Sequence, residues 1–199
     1  TYGTYNLVVT ATDTDGLTDS DQINFTVNGL PTTPVVSITP SIPTTSDGLN
    51  VSIDTPSTDP EGNTVSYSYE WQLGGQVQST QTTSSLASSA TSKGEQWTVV
   101  VTPNDGITNG VAGMASVVIG NTAPTVGAVS VTPIGTVYND DVLTCSATVN
   151  DPDETPTTTY EWSIAGSVVG TSSTLDLSTT GAMPGDTVVC TVIASDGVD

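Results

Sequence analysis

The sequence predicts an all-β fold, a tandem of β-sandwich domains, and three observations carry that reading. The first is alternation. Runs such as Gln22-Ile23-Asn24-Phe25-Thr26-Val27 and Tyr160-Glu161-Trp162-Ser163-Ile164 place apolar side chains at every second position, the period of a half-buried strand. The second is punctuation, because acidic, glycine-bearing turn signals such as Asp13-Thr14-Asp15-Gly16 and Asn104-Asp105-Gly106 separate the runs. The third is repetition. Residues 28–40 read Asn-Gly-Leu-Pro-Thr-Thr-Pro-Val-Val-Ser-Ile-Thr-Pro, and 93 residues further on 121–133 read Asn-Thr-Ala-Pro-Thr-Val-Gly-Ala-Val-Ser-Val-Thr-Pro. A period of that size is one sandwich domain, and its return means an array of like domains.

The stretch 142–162 and Cys190 set the type of sandwich. Cys145 lies in the apolar run Val142-Leu143-Thr144-Cys145-Ser146-Ala147, and Cys190 lies in Val188-Val189-Cys190-Thr191-Val192-Ile193. Trp162 follows Cys145 by 17 residues and precedes Cys190 by 28. Cysteine, strand tryptophan and second cysteine in this order mark an immunoglobulin-type sandwich, in which a disulfide crosses between sheets and packs on the tryptophan. The other copy of the pattern supports the pairing. Trp71 answers Trp162, while Val51 answers Cys145 and Val99 answers Cys190. Both cysteine positions change together to a small apolar residue, as one core site without its bridge would. The competing reading is a pair of buried thiols acting as small hydrophobes.

In order, residues 1–27 form a strand, Gly3–Thr12, a turn, and a second alternating strand. Tyr5-Asn6-Leu7-Val8-Val9 matches Trp97-Thr98-Val99-Val100-Val101, so 1–27 read as the last two strands of a truncated domain. Two strands alone are marginal in water. Residues 28–120 hold a complete immunoglobulin-like set. Residues 121–199 hold the disulfide-bearing copy and stop at the turn Ser195-Asp196-Gly197-Val198-Asp199, before its last strand. The missing edges are expected to be filled by more of the same polypeptide, in preference to a strand donated by a like subunit.

Composition excludes whole classes of function. The chain carries 21 acidic residues against one base, Lys93, with no His, for a net charge of −20. Such a chain has no basic footprint for nucleic acid or for an anionic membrane. It also lacks a histidine general base and an arginine clamp, so an enzyme is not expected. Paired carboxylates act alone in glycosidases, but those need a cleft with aromatic platforms, and ten aromatics are mostly consumed by the cores. Nothing resembles a membrane span of about 18 apolar residues. A disulfide places the protein in an extracellular or periplasmic setting.

Gly3-Thr4-Tyr5-Asn6-Leu7-Val8-Val9-Thr10-Ala11-Thr12-Asp13 resembles the penultimate strand of PKD and cadherin-like modules. Asp59-Pro60-Glu61-Gly62-Asn63 and Asp151-Pro152-Asp153-Glu154 resemble that group's acidic loop before the tryptophan strand. The whole chain is similar to the immunoglobulin-like repeats of bacterial surface proteins. One departure is the antibody-type tyrosine two residues before the second cysteine, replaced by Val188 here and by Trp97 in the other copy. The resemblance implies a stalk, filament or adhesin shaft, with a cell-surface or glycan target elsewhere in the parent protein.

The candidate site lies in the acidic loops. In this type of sandwich the loop before the tryptophan strand and the loop after the second-cysteine strand share one end, which also receives the linker. That gathers Asp59, Glu61 and Asp105 near Asn28, and Asp151, Asp153 and Asp196 near Asn121. Two readings stand side by side. Several carboxylates with carbonyls and water suit Ca²⁺, and the cadherin-like resemblance implies calcium at junctions. Asp-Gly and Asp-Pro are equally ordinary turn formers. Lys93, in Thr91-Ser92-Lys93-Gly94-Glu95, reads as a solvated turn residue in preference to a cross-linking lysine. Asn24-Phe25-Thr26 and Asn50-Val51-Ser52 match glycosylation acceptors but fall in strands.

The expected function is therefore structural, with neighbouring repeats or like subunits as partners. The alternative is a carbohydrate-binding or spacer appendage of an exported hydrolase. It needs an exposed aromatic row, whereas Tyr67, Tyr69 and Trp71 share the face expected to be buried.

Overall fold

The computed structural model describes residues 2–198; Thr1 and Asp199, the last residue of the terminal turn read above, lie outside them. Every ladder between named strands is antiparallel, and the described residues hold two short 3₁₀ turns and no α-helix. The all-β expectation is met. The chain divides into two compact units. One runs up to Pro43 and resumes over Asp47–Ile119; the other joins Thr44–Ser46 to the chain from Gly120 onward. Residues 2–27 are grouped with the first unit.

That unit begins with a hairpin of β1 (Gly3–Thr12) and β2 (Thr18–Val27). The hairpin is in register from Gly3 opposite Val27 to Thr12 opposite Thr18. Asp13 closes its turn, with Oδ1 accepting from the amides of Asp15 at 2.9 Å and Leu17 at 2.8 Å. Tyr5, Leu7 and Val9 share a face with Ile23, Phe25 and Val27, and the Tyr5 and Phe25 rings stack at 5.6 Å. This apolar face stays open, with Leu7 52% and Ile23 61% exposed.

The sandwich of the first unit follows. Its strands are β3 (Val35–Thr39), β4 (Leu49–Thr55), β5 (Ser66–Leu73), β6 (Gln76–Val77), β7 (Ser85–Leu86), β8 (Gln96–Asn104) and β9 (Gly113–Val118). They form two sheets, ordered β3-β4-β7 and β6-β5-β8-β9. Ile38, Leu49 and Leu86 from the first sheet meet Trp71, Trp97, Val99, Val101 and Val117 from the second. Trp71 is fully buried, which requires a partner for its indole N–H. It donates to the Thr83 carbonyl at 3.0 Å. Trp97 meets it edge-on at 6.4 Å and donates to Glu95 Oε2 at 2.9 Å.

The second unit repeats these devices on fewer strands. β10 (Thr125–Thr132), β11 (Val142–Asn150) and β14 (Thr174–Asp176) make one sheet, ordered β10-β11-β14; β12 (Thr157–Ile164), β13 (Ser167–Gly170) and β15 (Val188–Ser195) make the other, ordered β13-β12-β15. A disulfide joins Cys145 on β11 to Cys190 on β15, so it ties sheet to sheet, with Cα atoms 6.4 Å apart. Trp162 is fully buried and donates its indole N–H to the Ser172 carbonyl at 2.9 Å, as Trp71 does to Thr83. Glu161, one residue earlier, is exposed, as alternation requires.

Candidate functional site

The acidic loops sit where strands end, and local turn chemistry places each carboxylate before any longer contact is made. After β8 the chain turns at Asn104-Asp105-Gly106, with Gly106 at φ 91°, a conformation that glycine adopts without strain. Asp105 points back into this turn. Its Oδ1 accepts from the amides of Ile107 at 2.8 Å and Thr108 at 2.7 Å. Its Oδ2 accepts from the Asn28 side-chain amide at 2.7 Å. Between β4 and β5, Asp59 Oδ1 accepts from the amides of Glu61 at 3.0 Å and Asn63 at 2.9 Å. Glu61 is thereby turned toward the linker, where Oε2 accepts from the Gly29 amide at 3.1 Å. Asn28 and Gly29 are thus held from both sides. Gly29 is buried, and a Cβ there would stand 2.9 Å from the Pro60 ring and 3.1 Å from Glu61 Oε2. The close fit of linker to loop depends on that missing carbon.

The second unit has the same arrangement at equivalent positions. Asn121 donates its side-chain amide to Asp196 Oδ2, and the Thr122 amide donates to Asp153 Oδ2 at 2.7 Å. Asp151 Oδ1 turns the loop by accepting from the amides of Asp153 at 2.7 Å and Glu154 at 3.0 Å. Asp196 Oδ1 accepts from Val198 at 2.8 Å, beside Gly197 at φ 90°. All six acids read from the sequence therefore lie in the linker-end loops, bonded to backbone amides or to an asparagine.

The electrostatics follow from these bonds. The Asn28 amide, then the Thr108 amide, hold the Asp105 carboxyl below its ordinary value, with Ile107 adding to them; burial opposes the shift without reversing it. Three carboxylate oxygens remain over: Asp59 Oδ2, Asp151 Oδ2 and Asp153 Oδ1 are buried without a hydrogen-bond partner. A buried, unsatisfied carboxylate oxygen is costly. Among the described residues, no three acidic, histidine or cysteine side chains converge as a ready metal cage.

Some contacts were not legible in the sequence. The Tyr67 hydroxyl accepts from the Ser57 amide at 2.7 Å, tying β5 to the loop before it. Alternation places Tyr67 on the core face but says nothing about its phenol. Lys93 is exposed in a turn, where Glu95 Oε2 accepts from the Ser92 amide at 2.8 Å. Asn24 and Asn50 are both exposed on strands, and Asn24 Oδ1 accepts from the Asn6 amide at 2.8 Å.

Fold and loops together define a class: a disulfide-bearing all-β protein of two-sheet sandwiches with acid-pinned linkers. Neither a protein-family model nor a curated protein matches the chain.

Proposed function

We propose that this chain is a structural segment of an exported protein, in which immunoglobulin-like repeats related to the PKD and cadherin-like group form a stalk, filament or adhesin shaft. The observation that carries the reading is the duplicated clamp, Asn28 on Asp105 and Asn121 on Asp196, each backed by a second acid on the next backbone amide. A connection pinned at two adjacent residues transmits force and orientation better than a flexible linker. The disulfide favours an oxidising compartment outside the cytoplasm, and no helix among the described residues is long and apolar enough to cross a membrane. Its partners are further repeats of its own chain or like subunits. The glycan-binding alternative is weakened because Trp71 is fully buried and Tyr67 and Tyr69 pack against the same core.

Single-molecule extension of the 199-residue chain tests the shaft reading. Two unfolding steps are expected, and reductant should lengthen one of them as the loop between Cys145 and Cys190, separated by 45 positions, is released. A chain that extends without resistance is no shaft. Surface labelling of intact cells tests the exported setting.

A second component of the proposal is calcium. The unsatisfied oxygens of Asp59, Asp151 and Asp153 are hard donors placed at the linker ends. A hard cation would satisfy them, with carbonyls and water completing a shell of about six to eight oxygens. Bound there, it would stiffen the clamp by neutralising its charge.

A further inference from the structure

The two clamps differ at one place that matters chemically: Asn28 is followed by Gly29, Asn121 by Thr122. An asparagine followed by glycine is prone to attack by the next backbone nitrogen on the side-chain amide carbon, because glycine presents no Cβ to hinder the ring closure. Here the nucleophile and the leaving group each meet a carboxylate. Gly29 N–H points at Glu61 Oε2, 3.1 Å away, within reach for general-base catalysis. Asn28 Nδ2 donates to Asp105 Oδ2 at 2.7 Å and to the Gly29 carbonyl at 2.9 Å, which holds the side-chain amide beside the residue whose nitrogen would attack it.

We propose that Asn28-Gly29 is a self-deamidation site, with Glu61 as the base at the Gly29 amide and Asp105 as the positioning residue for the departing amide. The Gly29 nitrogen bonds to Asn28 Cγ as its proton passes to Glu61. The Cγ–Nδ2 bond breaks, Glu61 returns the proton to the departing nitrogen, and ammonia leaves. Water then opens the five-membered imide to aspartate or isoaspartate. The product replaces the amide that Asp105 accepts from with a second carboxylate, so attraction becomes repulsion. The first linker therefore loosens with age. The second clamp is spared, because β-branched Thr122 crowds the same attack.

The chain contains its own reference, Asn109-Gly110. There the glycine amide is bonded to the Pro103 carbonyl at 2.9 Å, and Asn109 Oδ1 accepts from the Asn104 amide. Neither contact supplies a base. The test is peptide mapping by mass spectrometry of the whole chain aged in chelator-containing buffer, native and denatured, which keeps the outcome independent of calcium. Relative to their ratio in the denatured chain, Asn28 should convert about tenfold or more faster than Asn109 when native, a modest share of what a positioned base supplies. Glu61→Gln should remove the advantage. In the unmutated protein the Asn28 rate should rise less steeply than the Asn109 rate from mildly acidic to mildly alkaline buffer, because the Glu61 carboxylate beside the Gly29 amide takes the proton in place of hydroxide. A native ratio no greater than the denatured one overturns the proposal, as do parallel pH profiles or an unchanged rate in Glu61→Gln.

Discussion

Trp162 stands directly across the β12–β15 ladder from Cys190, and Trp71 stands in the same way across β5–β8 from Val99. The first relationship carries a bridge to the opposite sheet; the second carries only aliphatic packing. Because the bridge closes a loop between residues 45 positions apart, its entropic contribution on the chain model is roughly 3–4 kcal/mol. Replacing both cysteines by valine, the residue at both equivalent places in the first unit, should leave a folded second unit weakened by about that amount. Chemical denaturation measures the loss. Alkylation of the unfolded, unreduced protein should add no label; uptake of two alkyl groups would show the thiols to be unbonded.

The tryptophans should dominate each core. Trp71→Ala or Trp162→Ala should cost roughly 3–5 kcal/mol, whereas Glu161→Gln, on the exposed face of the same strand, should stay within about 0.5 kcal/mol. Trp→Phe is the finer test. It keeps much of the volume but removes the donor to the Thr83 or Ser172 carbonyl, and should cost an additional ~1 kcal/mol or more for the unmade bond. Equal effects from tryptophan and glutamate changes would mean that the strand faces are misassigned.

These features were legible because period and spacing encode them. Alternation placed Trp71 and Trp162 inward, and paired change at Val51/Cys145 and Val99/Cys190 pointed to one bridge. The acids of the candidate site were legible only through the fold: Asn28 and Asp105 lie 77 positions apart and meet because a sandwich brings those loops to one end. Which atoms each acid would engage was not legible. Glu61 and Asp153 reach backbone amides, donors that every residue but proline possesses, so side-chain identity gives no clue. The same reason hid the contact between the Tyr67 hydroxyl and the Ser57 amide.

The clamp makes the first linker sensitive to acid. The Asp105 carboxyl is lower in the folded state than when unfolded, so its contribution to stability is complete above the unfolded value. That contribution is lost as pH falls through the lowered folded value. Amide exchange at Ile107 and Thr108, followed in increasingly acidic buffer, should begin to rise as pH enters the ordinary carboxylate range and finish rising only below it. Asp105→Asn should abolish that step. A rise already complete within the ordinary carboxylate range would show that Asn28 does not favour the ionised form.

Calcium should stabilise the loops that hold unsatisfied carboxylate oxygens. At about a hundredfold excess over its dissociation constant, a ligand bound only by the folded state adds about 2.7 kcal/mol. The thermal midpoint should therefore rise with added calcium and fall with chelator. Asp151→Asn combined with Asp153→Asn should remove the response of the second unit, leaving that of the loop containing Asp59. A midpoint indifferent to calcium, at low ionic strength where surface screening is smallest, would reduce these acids to turn formers and linker ties.

The hairpin of β1 and β2 should be the least stable part of this chain when the 199 residues stand alone. It has ten cross-strand pairs, yet every residue from Thr4 to Val27 is exposed, so strand pairing is supported by little burial. Two strands without a covered face are marginal in water, and such regions open at low free-energy cost. Hydrogen exchange should find the amides of β1 and β2 almost unprotected while those of β5 and β8 are slow. A protease of broad specificity, needed because Lys93 is the only basic residue, should cut the hairpin first and stop near Asn28, where the clamp begins. The open face of Tyr5, Leu7, Phe25 and Ile23 offers a surface for association, but a net charge of −20 on each copy opposes it. Light scattering should therefore give a monomer at moderate salt. Head-to-tail polymers that vanish when residues 1–27 are deleted would instead show this hairpin adding to the β15 edge of a neighbour, and would make strand donation between subunits the means of assembly.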